Sequence, residues 1–146
     1  MNFQKSVKTC FQKYATFSGR ASRSEFWFFY LFIIVGYITC VALMMAISLN
    51  FYWLFFIFVI TIIIPAFAVT ARRLHDQNLS GWFQLLPFPF SILEKVSATF
   101  SEGLEIIFLI ISLILYVYLF VLYCKDGDKK DNRFGKNIYK KGKKRR

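Results

Sequence analysis

The sequence predicts an all-α integral membrane protein: a helical bundle with an N-terminal amphipathic surface helix and about four transmembrane helices. Hydrophobic residues make up 57% and aromatic residues 21% of the 146 positions. This is more apolar surface than a soluble domain of this length can bury. The apolar residues lie in runs of about 20, a length that is typical of membrane-spanning helices.

Basic residues indicate the orientation of the chain. The formal net charge is +11, and of the 19 Lys and Arg residues five precede the first apolar run, two lie between the second and third runs, eleven follow the last run and Lys95 is the remaining one. A nucleic-acid-binding protein would also be basic. Here, however, the bases flank apolar runs as the positive-inside rule requires, which excludes nucleic acid as a partner and places both termini in the cytoplasm.

Residues 1–17 predict an amphipathic helix at the membrane surface. Its apolar side chains fall within about a third of the helix circumference, at roughly 100° per residue. Lysines occupy the other side and would meet anionic headgroups. A solvated N-terminal helix is the alternative. The apolar stripe consists of Phe3, Val7, Cys10, Phe11 and Tyr14.

The first two spans are predicted at 26–47 and 51–71. Trp27 begins the first span as an interfacial anchor, and the uncharged residues 48–50 form a short connection on the outer face. Pro65 lies within the second span, where it removes a backbone donor and predicts a kink.

The third span, 82–100, is predicted to be short and broken. Pro87 and Pro89 interrupt it, and Trp82 marks its interfacial end. A re-entrant segment is the alternative. The polar residues from 94 to 105 predict an outer loop, because a charged pair drawn into the bilayer would cost several kcal/mol.

The final span, 104–124, is followed by a basic cytoplasmic tail at 125–146. We therefore divide the chain into the surface helix, a membrane domain at 18–124 and this tail. With four spans, the tail and the central polar segment after residue 71 share the cytoplasmic side, whereas three spans would place one of them outside against the charge rule.

Polar residues gather at the cytoplasmic ends of the spans and form the candidate site. Two carboxylates lie within one helical turn of an arginine, Arg23 with Glu25 and Arg72 with Asp76. The first interpretation is structural: arginines clamp neighbouring segments together. The second is a site for an anionic headgroup or for the acidic motif of a partner. The candidate residues are Arg20, Arg23, Glu25, Arg72, Arg73, His75, Asp76, Asn132 and Arg133, with Trp27 and Trp82 as interfacial anchors.

Catalytic and metal chemistry find little support in the sequence. His75 adjoins Asp76, but neighbouring residues on a helix point about 100° apart and no nucleophile stands at a recognisable spacing. A single His lacks a metal ligand set, and Cys10, Cys40 and Cys124 have neither zinc nor disulfide spacing. We expect no enzyme activity, no cofactor and no metal.

Three motifs together resemble a known family. They are GRASRSEFW at 19–27, RLHD at 73–76 with SGWF at 80–83, and NRFG at 132–135. In residues 11–135 the chain closely resembles the YhaH/YhaI-type family of bacterial inner-membrane proteins, a family of unknown function. The resemblance implies a small multi-spanning protein of the bacterial cytoplasmic membrane and supplies no reaction.

The functional hypothesis is a non-catalytic membrane module. It would bind a protein partner or anionic lipid at its cytoplasmic face, and it could form a homo-oligomer. A transporter or channel component is the first alternative, since broken helices can line a cavity. A membrane enzyme acting on phosphorylated lipid is the second, and it would need a nucleophile or metal near the arginines.

Overall fold

The computed structural model describes residues 1–46 and 52–139, and in these ranges the protein is all-helical, as predicted. The predicted outer connection at 48–50 and the basic end from 140 onward lie outside them. The helices are α1 (Phe3–Gln12), α2 (Arg23–Ala46), α3 (Tyr52–His75), a 3₁₀ turn (Gly81–Leu85), α4 (Pro87–Ser97) and α5 (Glu102–Cys124).

Three helices, α2, α3 and α5, are long and apolar enough to cross a membrane. Their 23 or 24 residues extend about 35 Å at 1.5 Å per residue, slightly more than the hydrocarbon core. Most of their apolar side chains are exposed, because lipid rather than protein is the expected neighbour.

α1 packs along the beginning of α2. The ring of Phe3 meets that of Phe28 edge to face, with centroids 6.2 Å apart, and Phe11 meets Phe29 at 5.7 Å. Cys10 is completely buried in this contact. The apolar side of α1 is therefore directed largely at protein. The helix ends at Gln12, earlier than the predicted boundary at residue 17.

α3 continues as one helix through Pro65, which is buried. The hydroxyl of Thr61 donates to the carbonyl of Ile57, at 2.7 Å, in the turn that precedes it. α3 then extends past the predicted end of the span, so that its last turn carries Arg72, Arg73 and His75.

The predicted third span consists of two short pieces. The 3₁₀ turn ends at Leu85, and α4 begins at Pro87, where a missing backbone N–H costs nothing because first-turn donors have no helical acceptor. The predicted outer loop at 94–105 was wrong: only residues 98–101 separate α4 from α5. The carbonyl of Ser97 accepts from both Phe100 and Ser101, which closes a tight turn.

The last turns of α3 and α5 and the segment before α2 meet at one end of the bundle. The backbone N–H of Ala21 donates to the carbonyl of Arg72 at 3.0 Å. Arg73 Nε donates to the carbonyl of Tyr123 at 3.2 Å, and the Gln77 amide donates to that of Leu122. This end holds the candidate site.

Candidate functional site

Three buried arginines form the centre of the site. Arg72 and Arg73 occupy the last turn of α3, and Arg20 immediately precedes the start of α2; their exposed fractions are 1%, 0% and 5%. Burying a guanidinium is costly unless it gains ionic and hydrogen-bonding partners. Each of the three arginines has both an ionic partner and a hydrogen-bond acceptor on the backbone.

Asp76 lies between two of these arginines and is completely buried. Its Oδ1 accepts from Arg20 Nε at 2.8 Å, and its Oδ2 accepts from Arg73 Nη1 at 2.7 Å. The hydroxyl of Tyr139 also donates to Oδ2, at 2.5 Å. Two guanidinium groups thus share one carboxylate, and the remaining positive charge is directed at backbone carbonyls.

Those carbonyls belong to the segment after α5. Arg20 donates to the carbonyls of Lys130, at 2.8 Å, and Asp128, while Arg73 donates to that of Lys125. The Asp128 N–H in turn donates to the Asp76 carbonyl at 2.8 Å. The two arginines therefore fasten the tail to the end of α3.

Gly127 lies directly against the Asp76 carboxylate. A Cβ at this position would overlap the carboxylate oxygens. Those oxygens are held by Arg20 and Arg73, so they cannot move aside without breaking an ion pair. Only glycine allows the tail to pass this close.

Arg72 forms a second pair, with Glu25. Its Nη2 lies 3.0 Å from Glu25 Oε1, and its Nη1 donates to the Thr16 carbonyl at 3.4 Å. The pair joins the end of α3 to the first turn of α2 and to the connection after α1. Arg72 Nε is buried and has no hydrogen-bond acceptor within the described residues.

The predicted local pairings were therefore wrong. Arg72 pairs with Glu25 instead of Asp76, and Arg23 pairs at 2.6 Å with Asp126 of the tail. Successive helical residues point about 100° apart, so Arg72 and Arg73 reach different neighbouring segments. Arg72 and Arg23 both pair with carboxylates of other segments instead of the carboxylates nearest to them in sequence.

His75, Asn132 and Arg133 form the outer layer of the site. The His75 ring stacks on Phe134, with centroids 3.8 Å apart and planes 4° from parallel, and its Nδ1 lies 3.2 Å from the Gly19 carbonyl. Asn132 Nδ2 donates to the His75 carbonyl at 2.9 Å. The guanidinium carbon of Arg133 lies over the Phe134 ring, 4.7 Å from its centroid. These contacts orient His75 away from the ion pairs of its neighbour in sequence, Asp76.

The two tryptophans differ in environment. Trp27 is half-buried between the rings of Phe26 and Phe120, at 5.1 and 5.6 Å. Trp82, in the 3₁₀ turn, is 78% exposed. It follows that Trp27 packs within the bundle, whereas Trp82 projects from it.

Gly127, Tyr139 and the tail carbonyls contribute to the site but escaped the sequence-based prediction. A glycine between two aspartates is typical of an ordinary turn. The sequence also gives no indication of which backbone carbonyls will accept hydrogen bonds from a distant side chain. Within residues 1–46 and 52–139, no three His, Cys, Asp or Glu side chains are grouped to hold a metal ion.

Comparison of the sequence with known proteins identifies relatives in the bacterial inner membrane. The chain is 30% identical over 127 residues to inner membrane protein YhaI of Escherichia coli K12, covering 85% of this chain and 86% of that protein. It is 29% identical over 130 residues to inner membrane protein YhaH of the same organism, covering 85% and 88%. No solved structure matches the chain. The family described as "Protein of unknown function (DUF805)" matches residues 14–136, which confirms the predicted resemblance, and the chain belongs to this family of unknown function.

Proposed function

We propose that the protein is a non-catalytic module of the bacterial cytoplasmic membrane that binds anionic lipid headgroups at its cytoplasmic face. The observation that carries the proposal is a division among the cations. The arginines at the centre of the site are buried and bonded to the protein itself, whereas the lysines around them are exposed. The site residues then serve to hold the face together, and the lysines serve to bind.

The lysines surround the end of the bundle at which the chain segments meet. Each lysine near an anionic surface contributes about 1 kcal/mol, an attraction that salt screens. Exposed acids are fewer there, and one of them, Asp126, is paired with Arg23. The exposed lysines at this end are Lys5, Lys8, Lys13, Lys125, Lys129, Lys130 and Lys136.

The same arrangement supports a proposal of four membrane crossings. The last turns of α3 and α5 lie together, and both helices are long enough to span. If both helices span, α5 begins at the opposite face, and we propose that the chain between them crosses as well. The 3₁₀ turn and α4 together extend about 26 Å at 2.0 and 1.5 Å per residue. This length is close to the thickness of the hydrocarbon core, about 30 Å. Both termini and the central polar segment then lie in the cytoplasm.

Reporter fusions test this topology. Fusions after Gln77 and at the C-terminus should report a cytoplasmic location, and a fusion after Ser97 should report the periplasm. A periplasmic C-terminus would exclude four crossings.

Native mass spectrometry of the detergent-solubilised protein tests lipid binding. We expect phosphatidylglycerol to be retained in preference to phosphatidylcholine. Replacing Lys5, Lys8 and Lys13 by Gln should weaken this preference about a hundredfold, given about 1 kcal/mol per lysine. Lys95→Gln is the matched control, because Lys95 is exposed at the other end of α4. Equal retention of the two lipids by the wild type would contradict lipid binding and favour a protein partner.

Transport by an oligomer is a second candidate, suggested by a cavity of about 440 Å³ between α2, α3 and α5. It contains a hydrogen bond between the Tyr30 and Thr70 hydroxyls, 2.9 Å long, and the side chain of Gln84. Ion or solute flux into proteoliposomes that Thr70→Val reduces would support this candidate over the binding module.

A further inference from the structure

An open groove of about 660 Å³ runs along the outside of α3, beside the 3₁₀ turn. At one end its wall is apolar, formed by Ile63, Ile64 and Phe67. At the other end it meets His75 and Phe134, the stacked pair of the candidate site. The volume lies within the range of about 300–1,000 Å³ that is usual for small-molecule sites.

The groove has the polarity gradient of one membrane leaflet. Twelve residues of α3 separate Ile63 from His75, a rise of about 18 Å, whereas one leaflet of the hydrocarbon core is about 15 Å deep. The deep end offers only apolar contacts. The shallow end lies at the level of the polar cluster, where a lipid headgroup would be found.

One exposed cation, Arg133, adjoins the shallow end through its contact with Phe134. Among the described residues, neither Asp nor Glu lines the groove. Arg133 lies over the Phe134 ring and donates through Nη2 to the Asn78 carbonyl at 3.1 Å, and unlike the three buried arginines it is exposed. A guanidinium at the membrane surface can bind phosphate through two parallel hydrogen bonds.

We propose that this groove binds one anionic glycerophospholipid, with an acyl chain along Ile63, Ile64 and Phe67 and its phosphate beside Arg133. The inference rests on the proposed function and names the lipid class and the site. A water-soluble ligand would leave the deep apolar wall uncovered. A phospholipid matches both ends of the groove.

Trp82 lines the groove and is a suitable reporter. Replacing Trp27 and Trp53 by Phe leaves Trp82 as the only tryptophan of the three in the chain. Phospholipids with brominated acyl chains quench tryptophan fluorescence on contact. At equal mole fractions, we expect brominated phosphatidylglycerol to bind near Trp82 about fivefold more tightly than brominated phosphatidylcholine, the equivalent of one charge at about 1 kcal/mol.

Two sets of variants locate the lipid, one at the polar end of the groove and one on α3. Arg133→Gln should abolish the preference for phosphatidylglycerol at Trp82 and Arg133→Lys should retain it, while Lys95→Gln, at the far end of α4, should have no effect. Ile64→Phe should reduce quenching by filling the groove. Ile60→Phe should not, because Ile60 lies one turn away, is 68% exposed and does not line the groove.

The outcomes separate this inference from the proposed function. Equal quenching by the two lipids, with phosphatidylglycerol still preferentially retained in mass spectrometry, would overturn the lipid site in the groove and leave the proposed function standing. Loss of both preferences would overturn both proposals. Crosslinking of a second copy of the chain at Trp82 in place of lipid would also overturn the groove. If the single-tryptophan variant does not fold, Arg133→Gln in the wild-type background should lower the preferential retention of phosphatidylglycerol in mass spectrometry about fivefold. Unchanged retention would overturn the proposed groove site.

Discussion

Arg20 and Asp76 are 56 residues apart in the chain and form an ion pair, 2.8 Å long, from which solvent is excluded. The pair joins the segment before α2 to the end of α3. Through its other nitrogens, Arg20 also holds the carbonyls of Asp128 and Lys130 in the tail. One side chain therefore connects three parts of the chain that the sequence separates by two apolar hairpins.

Gly127→Ala should destabilise the protein. The added Cβ would overlap the Asp76 carboxylate, and overpacking of a buried site costs about 1–3 kcal/mol. Gly103→Ala is the control, because the nearest atom to its Cβ would be Ser101 Oγ at 3.8 Å and alanine favours the helix. Unfolding in mixed micelles should show a loss only for Gly127→Ala; an equal effect of both substitutions would contradict the tight contact.

Glu25 and Arg72 should be energetically coupled. Glu25→Gln or Arg72→Met alone leaves a buried charge without its partner, at a cost of about 3–5 kcal/mol each. The double variant removes both charges, so its loss should fall below the sum of the single losses by about 0.5–3 kcal/mol.

The pair of Arg23 and Asp126 provides the control for this cycle. Its side chains are 49% and 75% exposed, and exposed pairs contribute about 0–1 kcal/mol. A coupling between Glu25 and Arg72 no larger than the coupling of this surface pair would argue against a buried clamp.

The thiol of Cys10 should be unreactive in the folded protein. Burial, followed by the charge of Glu25, raises the pKa of the Cys10 thiol to about 12. It therefore remains protonated from pH 7 to 9, whereas in the unfolded chain it ionises near pH 8.5. Because unfolding releases this proton, the folded state should lose stability as the pH rises from about 8.5 toward 12.

Maleimide labelling of a variant with Cys40 and Cys124 replaced by Ala measures this directly. Labelling should be slow at pH 7 and pH 9 in mild detergent and rapid after denaturation in dodecyl sulfate. Labelling that increases in the folded protein between pH 7 and 9, as for an exposed thiol, would show that α1 does not cover Cys10.

The long apolar helices could be predicted from the sequence, and so could the set of polar residues that lie at one end of the bundle. Both follow from local chemistry. Long apolar runs require lipid, and residues such as Arg72 and Asp76 cannot lie at its centre, so they must collect at an end of the bundle. The family resemblance followed from motif order and is confirmed. Four crossings and the roles of the site residues remain proposals.

The pairings within the cluster could not be predicted because they depend on tertiary geometry. Glu25 and Arg72 are 47 residues apart, and nothing local distinguishes Glu25 from Asp76 as the partner of Arg72. The length of α4 depends in the same way on how α4 packs against α5. The requirement for glycine at position 127 could not be predicted, because it comes from the Asp76 carboxylate, which is distant in sequence.

The free energy of unfolding of Asp76→Ala in mixed micelles tests the central claim most directly, since this substitution leaves two buried arginines without their shared carboxylate. We expect a loss of about 3–5 kcal/mol. Glu102→Ala, an exposed carboxylate at the other end of the bundle, should change the stability little. Wild-type stability of Asp76→Ala combined with lost lipid retention would contradict the structural clamp and identify the cluster as a ligand site.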